Sequence, residues 1–253
     1  MDVRHIVAFS GGLSSFEVAR LLAQEHGPET VECVFTDTLT EDEDLYRFID
    51  EAIAYLGCRF VRLADGRDIW DVFSDVKFMG NSRVDPCSRV LKREMFEKYL
   101  RDVDPASATL YYGIGATEAH RFDRLIERWQ GWHLEAPLIA LGTTKEQILW
   151  QLQQANIEPP RLYELGFEHN NCGGFCVKTG QRQMAHLLKT LPDRYAYHEA
   201  RQEELFTKIE PHGFIRRTTD GTMAYLSLKQ FRELVESKQE IQLFEDGSCA
   251  CFT

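Results

Sequence analysis

"HIVAFSGGLSSFEVARLLAQ", residues 5–24, joins an apolar run, a Ser-Gly-Gly turn, two further serines and an amphipathic helical pattern. An apolar run without polar alternation is the pattern of a strand buried on both faces. A strand, a tight turn and a helix in that order gather the helix's first backbone N–H groups, where an anion is attracted. Gly11 and Gly12 let the chain turn sharply and let an anion approach the backbone. Ser10, Ser14 and Ser15 add hydroxyl donors. The stretch lacks the spacing and lysine of a Walker loop, and it lacks the GxGxxG of a Rossmann fingerprint. A tight βα turn without a ligand is the plainer reading of the same residues.

The pattern repeats along the first half. Apolar runs at 4–9, 31–36, 59–63 and 109–115 are expected as strands, and helical patterns at 13–26, 41–56 and 117–129 follow three of them. Such alternation predicts an α/β fold with a doubly wound, mainly parallel sheet. Leu45, Phe48, Ile49, Ala52, Ile53 and Leu56 form one stripe, and Thr40 with Glu43 reads as a capping box. Thr143 with Glu146 repeats that device before a helix at about 144–155. From 180 onward the chain reads as mostly helical, over 180–190, 192–208 and 228–237, interrupted by a turn at Asp220-Gly221 and a short strand at 223–226. The expected division is a nucleotide-binding domain over 1–200 and a helical extension over 201–253 ending in a Cys-containing tail.

The chain has 253 residues and a net charge of -11. That field repels nucleic acid and anionic membranes, so direct nucleic-acid binding requires a partner to supply positive surface. No run approaches the ~20 apolar residues that span a bilayer, and the start, MDVRHIVAFSGG, shows no apolar leader; a cytoplasmic protein is expected. The stretch 83–101 concentrates six Lys and Arg, among them Arg83, Arg89 and Lys92, against three acids. It reads either as a solvated helix face or as a clamp for phosphate or sulfate. Seven cysteines in a chain expected inside the cell favour metal or redox use over disulfides. Cys33 and Cys58 fit packed core positions.

SGGLSS after the first strand resembles the PP-loop, SGGxDS, of ATP pyrophosphatases and phosphoadenosine phosphosulfate (PAPS) reductases. Further stretches are similar to the PAPS reductase family in the same order: VFTDT at 34–38, PCSRVLKREMFEKYL at 86–100, GIGATEAHR at 113–121, the run from 137 to 167, and the cysteine pair of HNNCGGFC. The resemblance implies an adenine nucleotide alpha hydrolase-like fold. It implies nucleotide contacts from Ser10, Gly11, Gly12, Ser14, Ser15, Asp37, Arg83, Lys92, Gly115, Glu118 and Arg121. Two plainer readings stand beside it: an Asx-turn at Asp37 and an i,i+3 pair between Glu118 and Arg121. Two departures matter. Ser14 stands where PP-loop pyrophosphatases carry Asp, which weakens the case for Mg2+-assisted ATP cleavage. The tail offers Cys249 and Cys251 instead of a single terminal cysteine.

Cys87, Cys172, Cys176 and Cys251 make a four-thiolate set suited to a [4Fe–4S] cluster or to Zn2+. Cys249 and Cys251 are also candidate catalytic thiols in a metal-free redox reading. The implied function is sulfur chemistry on ATP or PAPS, either sulfonucleotide reduction or ATP-dependent sulfur transfer. A redox or sulfur-donor protein is the expected partner, and a homo-oligomer is left open. A non-catalytic nucleotide or cluster sensor and a nucleic-acid thiolation component are the alternatives.

Overall fold

The apolar runs assemble into one parallel sheet: β1 (Arg4–Ala8), β2 (Val31–Asp37), β3 (Arg59–Ala64), β4 (Ala108–Tyr111) and β5 (His133–Glu135). The computed structural model describes residues 3–81, 83–219 and 222–237. The strand order is β3-β2-β1-β4-β5, with every neighbouring pair parallel. Helices cover both faces, as the unbroken apolar runs require. Val7, Phe9, Cys33 and Phe35 pack with Phe16 of α1 (Leu13–His26) and with Leu45 and Phe48 of α2 (Glu43–Leu56). The alternate residues Ile6, Ala8 and Val34 pack on the other face with Phe96, Leu100 and Leu125. The doubly wound α/β expectation is met, and the sheet's winding reverses between β1 and β4.

Both expected capping boxes shift. α2 is capped by Asp42, whose side chain accepts from the Asp44 N–H at 3.1 Å, while the Thr40 hydroxyl closes a turn onto the Thr38 carbonyl. Arg161 holds the Asp42 carboxylate in place at 2.8 Å. The helix Lys145–Gln154 is capped by Thr144 with Gln147. Burial of Ile148 and Leu152 sets that phase, one residue along from Thr143 and Glu146.

A third core cluster ties α3 (Ile69–Val76) to the C-terminal part. That part contains the helices Gln181–Thr190, Pro192–Phe206 and Leu228–Glu236, with an antiparallel hairpin of β6 (Ile215–Thr219) and β7 (Thr222–Leu226). Helix Pro192–Phe206 runs across the 200/201 division, and its Tyr195 and Leu205 share this core with Trp70 and Phe73. Asp220, Gly221, Cys249 and Cys251 lie outside the described residues. Among the described residues no helix is long and apolar enough to cross a membrane.

His198 sits in this third core. Its ring stacks on Phe175 at 3.8 Å, and its Nδ1 accepts a hydrogen bond from Trp70 Nε1 at 3.0 Å. Burial, reinforced by Arg194 and Arg201, lowers its pKa to about 3. The unfolded chain therefore binds more protons than the folded one between about pH 6.5 and that value. Stability is present above the upper limit and is lost as pH falls through this window, by an amount on the order of 5 kcal/mol. His198→Gln keeps an acceptor for Trp70 and cannot titrate. Urea unfolding between pH 4 and 7 should show a flatter acid limb in this variant; an unchanged limb would mean His198 is not responsible.

Candidate functional site

The crevice at the β1/β4 reversal is where a doubly wound sheet accepts ligands. A cavity of about 140 Å3 lies there. Ser10, Gly12, Ser14 and Ser15 form one wall, and Glu118 and Arg121 stand on another. The turn holds its shape through its own serines. Ser15 Oγ donates to the Gly12 carbonyl at 2.9 Å and accepts from the Ser10 N–H at 3.2 Å. Gly12 occupies the N-cap of α1 without a side-chain cap, so the helix's first amides keep their attraction for an anion.

Each glycine has a separate task. Gly11 takes φ +73°, and a β-carbon there would meet Leu45 Cδ1 of α2 at 2.9 Å. It packs the turn onto α2 and is not among the cavity's lining residues. A β-carbon on Gly12 would lie 3.3 Å from the Tyr163 hydroxyl. Gly113 follows β4, and a β-carbon there would lie 2.7 Å from the Ser15 nitrogen. That contact lets the loops after β1 and β4 touch at the crevice.

Glu118 and Arg121 line the cavity and also form the i,i+3 ion pair. The Arg121 Nε is buried and has no hydrogen-bond partner. Tyr163, His169, Asn170 and Asn171 also line it. Burial pushes the Tyr163 hydroxyl's pKa up to about 12, so it stays protonated.

Asp37, Arg83, Lys92 and Gly115 do not join this cavity. Asp37 is fully buried; it accepts from the Leu39 N–H at 2.8 Å and the Tyr46 hydroxyl at 2.9 Å, and it pairs with Arg62. That is the Asx-turn reading, so its carboxylate is committed to closing β2. Arg83 and Arg89 are exposed. Gly115 precedes a short turn with open space where a β-carbon would lie.

Lys92 instead enters a second cavity. Cys87, Cys172 and Cys176 line it together with Lys92, Lys178, Asp85 and Thr38. Lys92 belongs to a π-helical stretch, Arg89–Glu94, within the helical segment 86–100. Such a bulge shifts side chains around the helix, and Lys92 is only 4% exposed. Its ammonium lies 3.7 Å from the Glu41 carboxylate, and Lys178 pairs with Asp85 at 3.1 Å.

The Cys172 loop has an unusual backbone. Cys172, Gly173 and Gly174 all take positive φ, at 49°, 61° and 87°. Glu41 fixes the first of them by accepting the Cys172 N–H at 2.8 Å, and it also accepts the Thr38 hydroxyl at 2.9 Å. Arg194 donates to the Gly173 carbonyl at 3.0 Å. Burial raises the pKa of Glu41, against the opposing pull of Lys92.

Three thiols on one cavity are the right donors for a thiolate-held metal centre. The cavity they help line is about 10 Å3, room for roughly one water-sized species. Among the described residues no three His, Cys, Asp or Glu side chains are arranged to hold a metal ion. Cys33 and Cys58 are packed in the core, as expected.

Reversed strand order, a glycine turn without a side-chain cap and a lined crevice at their junction define a doubly wound α/β protein with a ligand-sized crevice at its switch point. The phosphoadenosine phosphosulfate reductase domain matches residues 4–178, and the chain belongs to that family. Among solved structures, the phosphoadenylyl-sulfate (PAPS) reductase from Candida auris, as its phosphate complex, is similar: 15% sequence identity, a TM-score of 0.48, 68% of this chain and 81% of that chain covered. No curated protein sequence matches the chain.

Proposed function

We propose that this chain is a sulfonucleotide reductase, binding PAPS in the crevice with its phosphates on the N-terminus of α1. One observation carries the reading: a single segment serves both cavities. His169, Asn170 and Asn171 line the nucleotide crevice, and Cys172, Cys176 and Lys178 line the thiol cavity next along the chain. Sulfur chemistry thus stands beside the nucleotide.

The crevice favours PAPS over ATP cleavage. Position 14 carries a hydroxyl, and the one carboxylate lining the crevice among the described residues, Glu118, is paired with Arg121. A Mg2+ ion would have to compete with that arginine.

In the proposed reaction a tail thiolate, Cys249 or Cys251, attacks the sulfate sulfur. The S–O bond to the nucleotide phosphate breaks, leaving a cysteine S-sulfonate and the free nucleotide. A second thiolate attacks the S-sulfonate sulfur that belongs to the cysteine, releasing sulfite and forming a disulfide. The thiols supply the two electrons, and a dithiol redox protein restores them. Arg121, the serine hydroxyls and the α1 amides stabilise the leaving phosphate.

As the rival to this metal-free dithiol chemistry, Cys87, Cys172 and Cys176, with Cys251 as fourth ligand and no longer a reacting thiol, would hold a [4Fe–4S] cluster or Zn2+. A bound centre would supply a polarising charge beside the reacting sulfur. Seating a cluster requires the thiol cavity to open.

Protein purified without oxygen should release sulfite from PAPS with a dithiol reductant, and iron, zinc and sulfide assays identify the centre. Pyrophosphate from ATP/Mg2+ without sulfite would select sulfur transfer instead. Tight nucleotide binding with neither product would select a sensor.

A further inference from the structure

Asn170 is 5% exposed and lines the crevice, yet both polar atoms of its amide are buried without a hydrogen-bond partner. The Tyr163 hydroxyl interacts with this amide but falls short of a geometric hydrogen bond, so the amide's N–H donors are available to a ligand. Buried polar side chains are normally satisfied, and an orphaned one needs a reason. The Nε of Arg121, on the same cavity, is also buried and unpartnered. Two unsatisfied donors therefore share one crevice with the amides of α1. An amide offers two N–H donors, and a guanidinium offers donors only. The common complement of these groups is a tetrahedral oxyanion.

We infer that Asn170 is a contact residue for the reacting end of the nucleotide, donating its amide N–H to an oxygen of the phosphate or sulfate group. Its place in the chain selects that end. Tyr163, its neighbour, stands over Gly12, and Cys172 of the thiol cavity follows two residues later. This inference rests on the proposed nucleotide site.

The test is PAPS affinity of the full chain, prepared without oxygen, as wild type, Asn170→Ala and Asn170→Asp, with thermal midpoints measured in parallel. Loss of a donor to a charged group should weaken binding about tenfold in the alanine variant. The aspartate variant places an anion against the oxyanion and should fall further, to about a hundredfold. A packing role predicts the reverse order, because aspartate is nearly isosteric with asparagine, and that order would overturn the inference. Equal affinity in all three proteins would overturn it too. A wild type that binds no PAPS would remove the nucleotide site itself, a failure recognisable before any variant is compared.

Discussion

Gly113→Ala should cost the protein most of its nucleotide affinity, by about a hundredfold. The new methyl group would stand 2.7 Å from the Ser15 nitrogen and 2.8 Å from the Ser14 carbonyl carbon. Both atoms are backbone at the start of α1, so neither can swing aside as a side-chain tip would. The loop after β4 or the first turn of α1 must move, and overpacking of this kind costs about 1–3 kcal/mol. The amides presented to the phosphates move with it. Calorimetric titration with PAPS and a thermal melt measure the two effects. Wild-type affinity in this variant would show that the two loops do not jointly form the binding site.

Glu41→Ala should destabilise the fold by about 3 kcal/mol. It removes the acceptor of the Cys172 N–H and of the Thr38 hydroxyl, and it takes a carboxylate from beside the buried Lys92. Cys172 is held at φ 49°, a conformation that residues with side chains rarely adopt. Without Glu41 the thiol loop loses the bond that holds that strained residue. Glu41→Gln keeps an acceptor for the amide, and a neutral side chain suits a site where burial already opposes the charge. It should recover more than half of the loss. Urea unfolding of the three proteins measures the stabilities, and iodoacetamide labelling of Cys172 reports the loop. An alanine variant as stable as wild type would show that Glu41 does not brace the loop.

The sheet was legible because β1 and β2 are buried on both faces, and nothing but a covered parallel sheet suits such runs. β5 and β6 were not. β5 is three residues long and mostly exposed, and its partner β4 creates it. β6, IRRTT, carries no apolar alternation and exists through its pairing with β7. Cap positions slipped where similar residues stand side by side, as at Thr143 and Thr144.

The glycine turn after β1 was legible because glycine and serine chemistry is local. The ion pair that engages Asp37 was not legible because its partner Arg62 sits on β3, across the sheet. The burial of Lys92 was not legible because a basic run shows charge but not the π-helical stretch that buries this lysine. Gly113 lay inside a quoted stretch, but its need to be glycine comes from the first turn of α1, about a hundred residues away in sequence. Asn170 carried no signal beyond its nearness to the cysteine pair, whereas Tyr163 lay inside the run from 137 to 167 without a role attached to it.

A crystal structure of the protein grown anaerobically with PAPS tests the central claim most directly. The nucleotide should lie between the loops after β1 and β4, with oxyanions on the backbone amides at the start of α1. Its sulfate should point toward the segment 169–176. A nucleotide bound elsewhere, with the glycine turn making no contact to it, would contradict the account.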